Sequence, residues 1–137
     1  MSEKILVADD DPALRGLLRL VARRAGFEVD VATNGQEALE KIGANKYLIA
    51  IVDLMMPVMN GYEVVERLAA MESCPGVIVV TATTDSYVRG LDGNVVQSIV
   101  RKPFDVEMLT GVLTELAKAL KEGREGDNVV DFPNHAR

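Results

Sequence analysis

The chain has no tryptophan, one cysteine, one histidine, and only three tyrosines and three phenylalanines in 137 residues. A single cysteine excludes an internal disulfide and fits a reducing compartment. Cys74 lies in the turn-like Ser73-Cys74-Pro75-Gly76 and is read as incidental. The single histidine, His135, is too isolated for a metal site. No apolar stretch approaches the roughly 20 residues of a membrane span. Met1-Ser2-Glu3-Lys4 leads straight into the first apolar run without a signal-peptide pattern. The expectation is a cytoplasmic protein with no membrane insertion. Positive charge is also short: 15 Lys and Arg against 21 Asp and Glu give a net charge of −6. That disfavours nucleic-acid binding, which needs a concentrated basic surface. Arg15, Arg19, Arg23 and Arg24 recur at helical spacing opposite an apolar stripe, as on a solvated helix face.

What is present is an ordinary core-forming composition, 48% hydrophobic and 26% charged. The length suits one domain. Short apolar runs alternate with amphipathic stretches. Lys4 to Ala8 reads as a strand. Pro12 to Ala25 reads as a helix, with Leu14, Leu17, Leu18, Val21, Ala22 and Ala25 at spacings of three and four. Glu28 to Ala32 is a brief strand, Asn34-Gly35 a turn, and Ala38, Leu39 and Ile42 mark a short helix. Leu48 to Val52 is a buried strand, followed by a helix through Val64, Val65, Leu68 and Met71. Val77 to Val80 is β-branched throughout. Asp85 to Leu91 predicts a poor helix, short or frayed, because Gly90 and Gly93 each cost about 1 kcal/mol relative to alanine. Val95 to Val100 predicts the last strand, and Asp105 starts a long helix to Leu120.

Five strand–helix alternations predict an α/β fold, a doubly wound five-stranded parallel sheet in the order 2-1-3-4-5, flavodoxin-like. Residues 1–122 form the domain and 123–137 a polar, flexible tail. Within that tail, Asn128 to Pro133 holds three apolar residues that could dock onto the domain or a partner.

The strand ends carry the chemistry. The first ends in Asp9 and Asp10, the third in Asp53, the fourth in Thr81 and the fifth in Lys102. In a parallel sheet these ends share one edge, where open α/β sheets place their ligands. Each residue alone has a bland explanation: a helix cap, a turn carboxylate, a β-forming threonine, a solvated lysine. Together, on four strand ends, they form a phosphoryl-transfer kit. Clustered carboxylates repel by about 4 kcal/mol per pair at 4 Å and an effective dielectric near 20. Lys102 offsets part of this, and a hard divalent cation such as Mg²⁺ would offset more. Asp53 can attack phosphorus, with Thr81 and Lys102 meeting the equatorial oxygens.

These residues, with Met56-Pro57-x-Met59-x-Gly61, Thr81-Ala82 and Lys102-Pro103-Phe104, resemble the response-regulator receiver domains of two-component signalling over about residues 3 to 121. The resemblance implies a phosphorylation switch rather than an enzyme, either a stand-alone receiver or one excised from a longer protein. Asp53 would accept a phosphoryl group from a sensor histidine kinase or a histidine phosphotransfer protein. Asp10, Asp53 and the Met55 carbonyl would ligate Mg²⁺, with Asp9 acting mainly through water. A cis Lys102–Pro103 bond is implied too. Readout would be protein–protein contact or onward phosphotransfer.

Two departures stand out. The family usually has a switching Tyr or Phe three residues before the lysine, and here that position is Ile99. The glycine-punctuated Asp85 to Val96, where a regular helix and the usual output surface belong, is expected to be mobile or remodelled. On the first helix, one or both of Leu14 and Leu18 could contact a kinase helix bundle, although core burial is the commoner use of each. Met55, two residues past Asp53, offers no group to orient water, so a modest self-dephosphorylation is expected. The alternatives are an aspartyl-phosphate hydrolase of haloacid-dehalogenase-like type and a receiver-like scaffold that is never phosphorylated. The hydrolases want a second Asp where Met55 stands.

Overall fold

The structure, a computed structural model, describes residues 3–83, 88 and 90–123, and the backbone of 130–132. Strand β1 (Lys4–Ala8) is followed by helix α1 (Pro12–Arg24), β2 (Glu28–Ala32) and α2 (Gly35–Ala44). Then come β3 (Ile49–Val52), α3 (Gly61–Ala69), β4 (Gly76–Thr81), β5 (Val96–Arg101), α4 (Val106–Lys121) and a short β6 (Val130–Phe132). The sheet runs β2-β1-β3-β4-β5-β6. Every pairing is parallel. The expected five strands are therefore present in the expected order.

The sheet also has one strand more than expected. Ser98, Ile99 and Val100 of β5 pair with Val130, Asp131 and Phe132, from the tail segment noted for its apolar residues. The tail residues 124–129 and 133–137 lie outside the described residues.

Alternation along each strand sends neighbouring side chains to opposite faces. Ile5, Val7, Ile51, Ile78 and Val80 pack against Leu18, Val21 and Ala22 of α1 and Leu109 and Leu113 of α4. Leu6, Ala50, Val52, Val79 and Ile99 pack against Ala38 and Ile42 of α2 and Val64, Val65 and Leu68 of α3. Burying each such Ile, Leu or Val contributes about 1.5–3 kcal/mol. That clamps the strands in register and holds their carboxyl ends along one rim.

Helix starts at that rim are tied down by acidic or amide caps. Asp11 caps α1, accepting from the Ala13 N–H at 3.0 Å, and Pro12 occupies the first turn. Asn34 caps α2, accepting from Glu37 N–H at 2.8 Å. Asn60 and Glu63 form a reciprocal capping box at α3. Asp105 caps α4 through the N–H groups of Glu107 and Met108. What reads as an Asn34-Gly35 turn is thus the first residue pair of a capped helix.

Between β4 and β5 no α-helix lies among the described residues. The Leu91 N–H donates to Val88 O at 3.3 Å in a tight turn, and Asp92 O accepts from Val95 and Val96. The expected poor helix of Asp85 to Leu91, and the mobility expected there, fall on a segment of which 84–87 and 89 lie outside the described residues.

Candidate phosphoacceptor site

Strand β3 delivers Asp53 to the rim immediately after its last apolar residue. Asp53 is 5% exposed, and its backbone N–H donates to Ala8 O at 3.0 Å, tying it to the end of β1. Beyond it the chain turns back on itself. The Gly61 N–H donates to Leu54 O at 2.9 Å. A Cβ on Gly61 would lie 2.5 Å from Asp53 O and 2.7 Å from Leu54 Cα, so only glycine permits this approach. Gly35 fastens the same loop, donating to Met59 O at 3.0 Å at a place where a Cβ would meet that oxygen at 2.1 Å. The Met56-Pro57-x-Met59-x-Gly61 pattern therefore has a steric basis. Within it, Met59 N–H donates to Pro57 O across Val58, which sits at φ 68°.

Strand β1 delivers Asp9 and Asp10. Asp9 is fully buried, whereas Asp10 is exposed. Carboxylate oxygens of Asp9, Asp10 and Asp53 lie within 4.8 Å of one another. From β5, Lys102 reaches across to Asp53 Oδ2 at 3.0 Å and Asp9 Oδ2 at 3.4 Å. Its bond to Pro103 is cis, as the resemblance implies. Three carboxylates facing one ammonium leave two negative charges in the cup. Burial pushes the Asp9 carboxyl above the usual carboxylate range. The Asp11 N–H, bonded to Asp9 Oδ1 at 2.9 Å, and the Lys102 ammonium pull it back only in part.

Strand β4 delivers Thr81, fully buried, its hydroxyl accepting from Thr83 N–H at 3.2 Å. As an acceptor there, the hydroxyl keeps its own hydrogen to donate elsewhere. Met55 sits at the rim, 63% exposed, its N–H donating to Asp53 Oδ1 at 3.1 Å. Close-set hard oxygens with one exposed member suit Mg²⁺, which keeps several waters and seldom has an all-protein cage. The donor set fits that ion.

Several details were not foreseen. Arg15 is half-buried, and its Nη1 donates to the Asp9 carbonyl at 2.9 Å; only Arg19, Arg23 and Arg24 are exposed as on a solvated face. Leu18 is 1% exposed and lies in the core, the commoner use expected of it, and so is not a contact for a kinase bundle. Leu14 is half-buried against that core, and the leucines facing solvent are Leu17 (38%) and Leu20 (49%). Ile99 is 2% exposed, packed with the α2 and α3 layer.

Residues 5–114 match the family model described as the response regulator receiver domain. The chain belongs to this family. Curated relatives include the response regulator ArlR of Staphylococcus saprophyticus, 36% identical over 131 residues, covering 94% of this chain and 57% of that protein. The DNA-binding response regulator MtrA of Mycolicibacterium smegmatis is 35% identical over 142 residues, covering 98% of this chain and 61% of that protein. This receiver thus spans a little over half the length of both relatives.

Solved structures agree. TrrA of Thermotoga maritima, in complex with Mg²⁺-BeF, has a TM-score of 0.75 at 32% identity, covering 83% of this chain and 98% of that one. The chemotaxis response regulator CheY4 of Vibrio cholerae has a TM-score of 0.76 at 28% identity, covering 85% of this receiver and 99% of that chain. Among the described residues no helix is long and apolar enough to cross a membrane.

Proposed function

We propose that this receiver is an Mg²⁺-dependent switch that accepts a phosphoryl group on Asp53 from a phosphohistidine on a sensor kinase or phosphotransfer protein. The observation that carries the reading is Asp53 itself. It is a nearly buried carboxylate held at 3.0 Å from Lys102 Nζ, with Asp9 and Asp10 oxygens within 4.8 Å.

In this reading an Asp53 carboxylate oxygen attacks phosphorus and the histidine nitrogen leaves. Asp10, Asp53 and the Met55 carbonyl are the ligands for Mg²⁺, and Asp9 acts mainly through water. Bound there, Mg²⁺ supplies positive charge against the phosphoryl oxygens. Lys102, already aimed into the cup, trades its Asp53 contact for a phosphoryl oxygen. The Thr81 hydroxyl donates to another. Gly61 and Gly35 hold the loop rigid, so Asp53 does not swing away from the incoming group. The modified aspartate adds charge and strong acceptor oxygens beside Thr81 and Lys102, and a partner that prefers this state reads it out.

The hydrolase alternative loses support at Met55, an exposed apolar residue where such enzymes use a second acid. For the same reason self-dephosphorylation is modest, and the aspartyl-phosphate half-life measures it. The leading reading is tested by incubating the protein with acetyl phosphate and Mg²⁺ and weighing it intact. A single phosphoryl adduct on the wild type, lost on Asp53→Asn or with chelator, is expected. An unmodified wild type, or equal labelling of Asp53→Asn, would overturn it.

A further inference from the structure

Ile99 cannot itself report on Thr81 by swinging, since a buried β-branched aliphatic offers neither the arc nor a hydroxyl. The face of the sheet that holds it carries another residue equipped for the task. Residues two apart on a strand share a face, so Ile99 and Arg101 do. Thr81 pairs directly with Arg101 across β4 and β5, and lies on the same face. From there Arg101 Nη1 donates to the Thr83 carbonyl at 2.8 Å. The Thr83 N–H in turn donates to the Thr81 hydroxyl at 3.2 Å. The circuit closes where the Lys102 N–H donates to Thr81 O at 2.8 Å. Thr83, next to the phosphoacceptor site, is thereby gripped on both sides of its Cα: its N–H by Thr81, its carbonyl by Arg101.

We propose that Arg101 is the positioning residue that couples modification of Asp53 to the segment following β4, in place of a switching aromatic. The inference rests on the proposed function and deepens it. With Asp53 unmodified, the Thr81 hydroxyl accepts from Thr83 and the segment is clamped. A phosphoryl group on Asp53 supplies acceptor oxygens, the Thr81 side chain rotates to donate to one, and the rotation carries its oxygen away from the Thr83 N–H. Arg101 keeps the carbonyl end in place. Thr83 then pivots about its anchored carbonyl instead of fraying. A guanidinium suits this task, because its charge-assisted bond is roughly twice as strong as a neutral one.

The test is amide hydrogen exchange at Thr83 in the full chain, before and after acetyl phosphate and Mg²⁺, with intact mass recorded in parallel. In the wild type, phosphorylation accelerates exchange at Thr83. In Arg101→Met, which keeps length and loses the donors, exchange before phosphorylation is already about tenfold faster, and phosphorylation adds less than about twofold. Wild-type exchange in Arg101→Met, before and after, would overturn the proposal. So would loss of protection throughout β1 and β3, which would make Arg101 merely structural. If the wild type takes no phosphoryl group, the mass shows that the proposed function has failed. The unmodified samples still decide the clamp: unchanged Thr83 exchange in Arg101→Met would overturn it.

Discussion

Lys102 is the residue on which the charge balance of the cup turns. It bonds Asp53 at 3.0 Å and Asp9 at 3.4 Å, one of them nearly and the other fully buried. Removing it leaves those carboxylates without their ammonium. Lys102→Met is expected to lower stability by about 3 kcal/mol in metal-free buffer, within the range for breaking buried ion pairs. Mg²⁺ should then raise the thermal midpoint of Lys102→Met by more than it raises that of the wild type, because it relieves more repulsion. Thermal melts with and without Mg²⁺ check both statements. Val58 makes the opposite case. A β-branched residue at φ 68°, 76% exposed, is strained and buries little in return. Val58→Asn, better suited to the left-handed region, is expected to stabilise the fold by about 1 kcal/mol, read from urea unfolding.

At the scale of elements, the helix starts carry a pH dependence. Glu37, in the first turn of α2, accepts from the Thr33 N–H and from the Thr33 hydroxyl at 3.0 Å, and lies 3.9 Å from Lys41. The Thr33 backbone bond is the main cause holding its carboxyl below the usual range. A carboxyl whose folded pKa is depressed contributes stability above its unfolded pKa and loses it as pH falls through the folded value. Glu37→Gln should therefore melt below the wild type near neutral pH, and the gap should close in strong acid. A gap that stayed constant with pH would contradict this assignment. Glu37 stands three residues after Asn34, a cap-and-glutamate spacing that marks a helix start, yet Asn-Gly is also a strong turn signal and hides it. Helix α1 shows the matching limit. A 3.6-residue period defines a stripe but not its centre, so Leu17 looked as buried as Leu18. The loop preceding α1 sets its rotation, and the Arg15 contact with Asp9 O depends on the same loop path.

Across the whole molecule, the site was legible because its parts are chemically unusual where they stand. A carboxylate pair, an aspartate, a threonine and a lysine each end a strand of apolar residues, and parallel order alone brings those ends to one rim. Strand β6 was not legible as a strand. Three residues are too few for a period-two signal, and their pairing with β5 depends on which edge of the finished sheet is open. Arg101 was hidden likewise, since its partner, the Thr83 carbonyl, belongs to a neighbouring strand's loop. The proposed switch requires that one carboxylate of the three, Asp53, receives phosphorus. Borohydride reduction of the acetyl phosphate-treated protein, followed by peptide sequencing, tests this most directly, because an acyl phosphate is reduced to the alcohol and marks its own position. Homoserine is expected at position 53, with Asp9 and Asp10 intact. Homoserine at position 9 or 10, or none anywhere, would contradict that requirement.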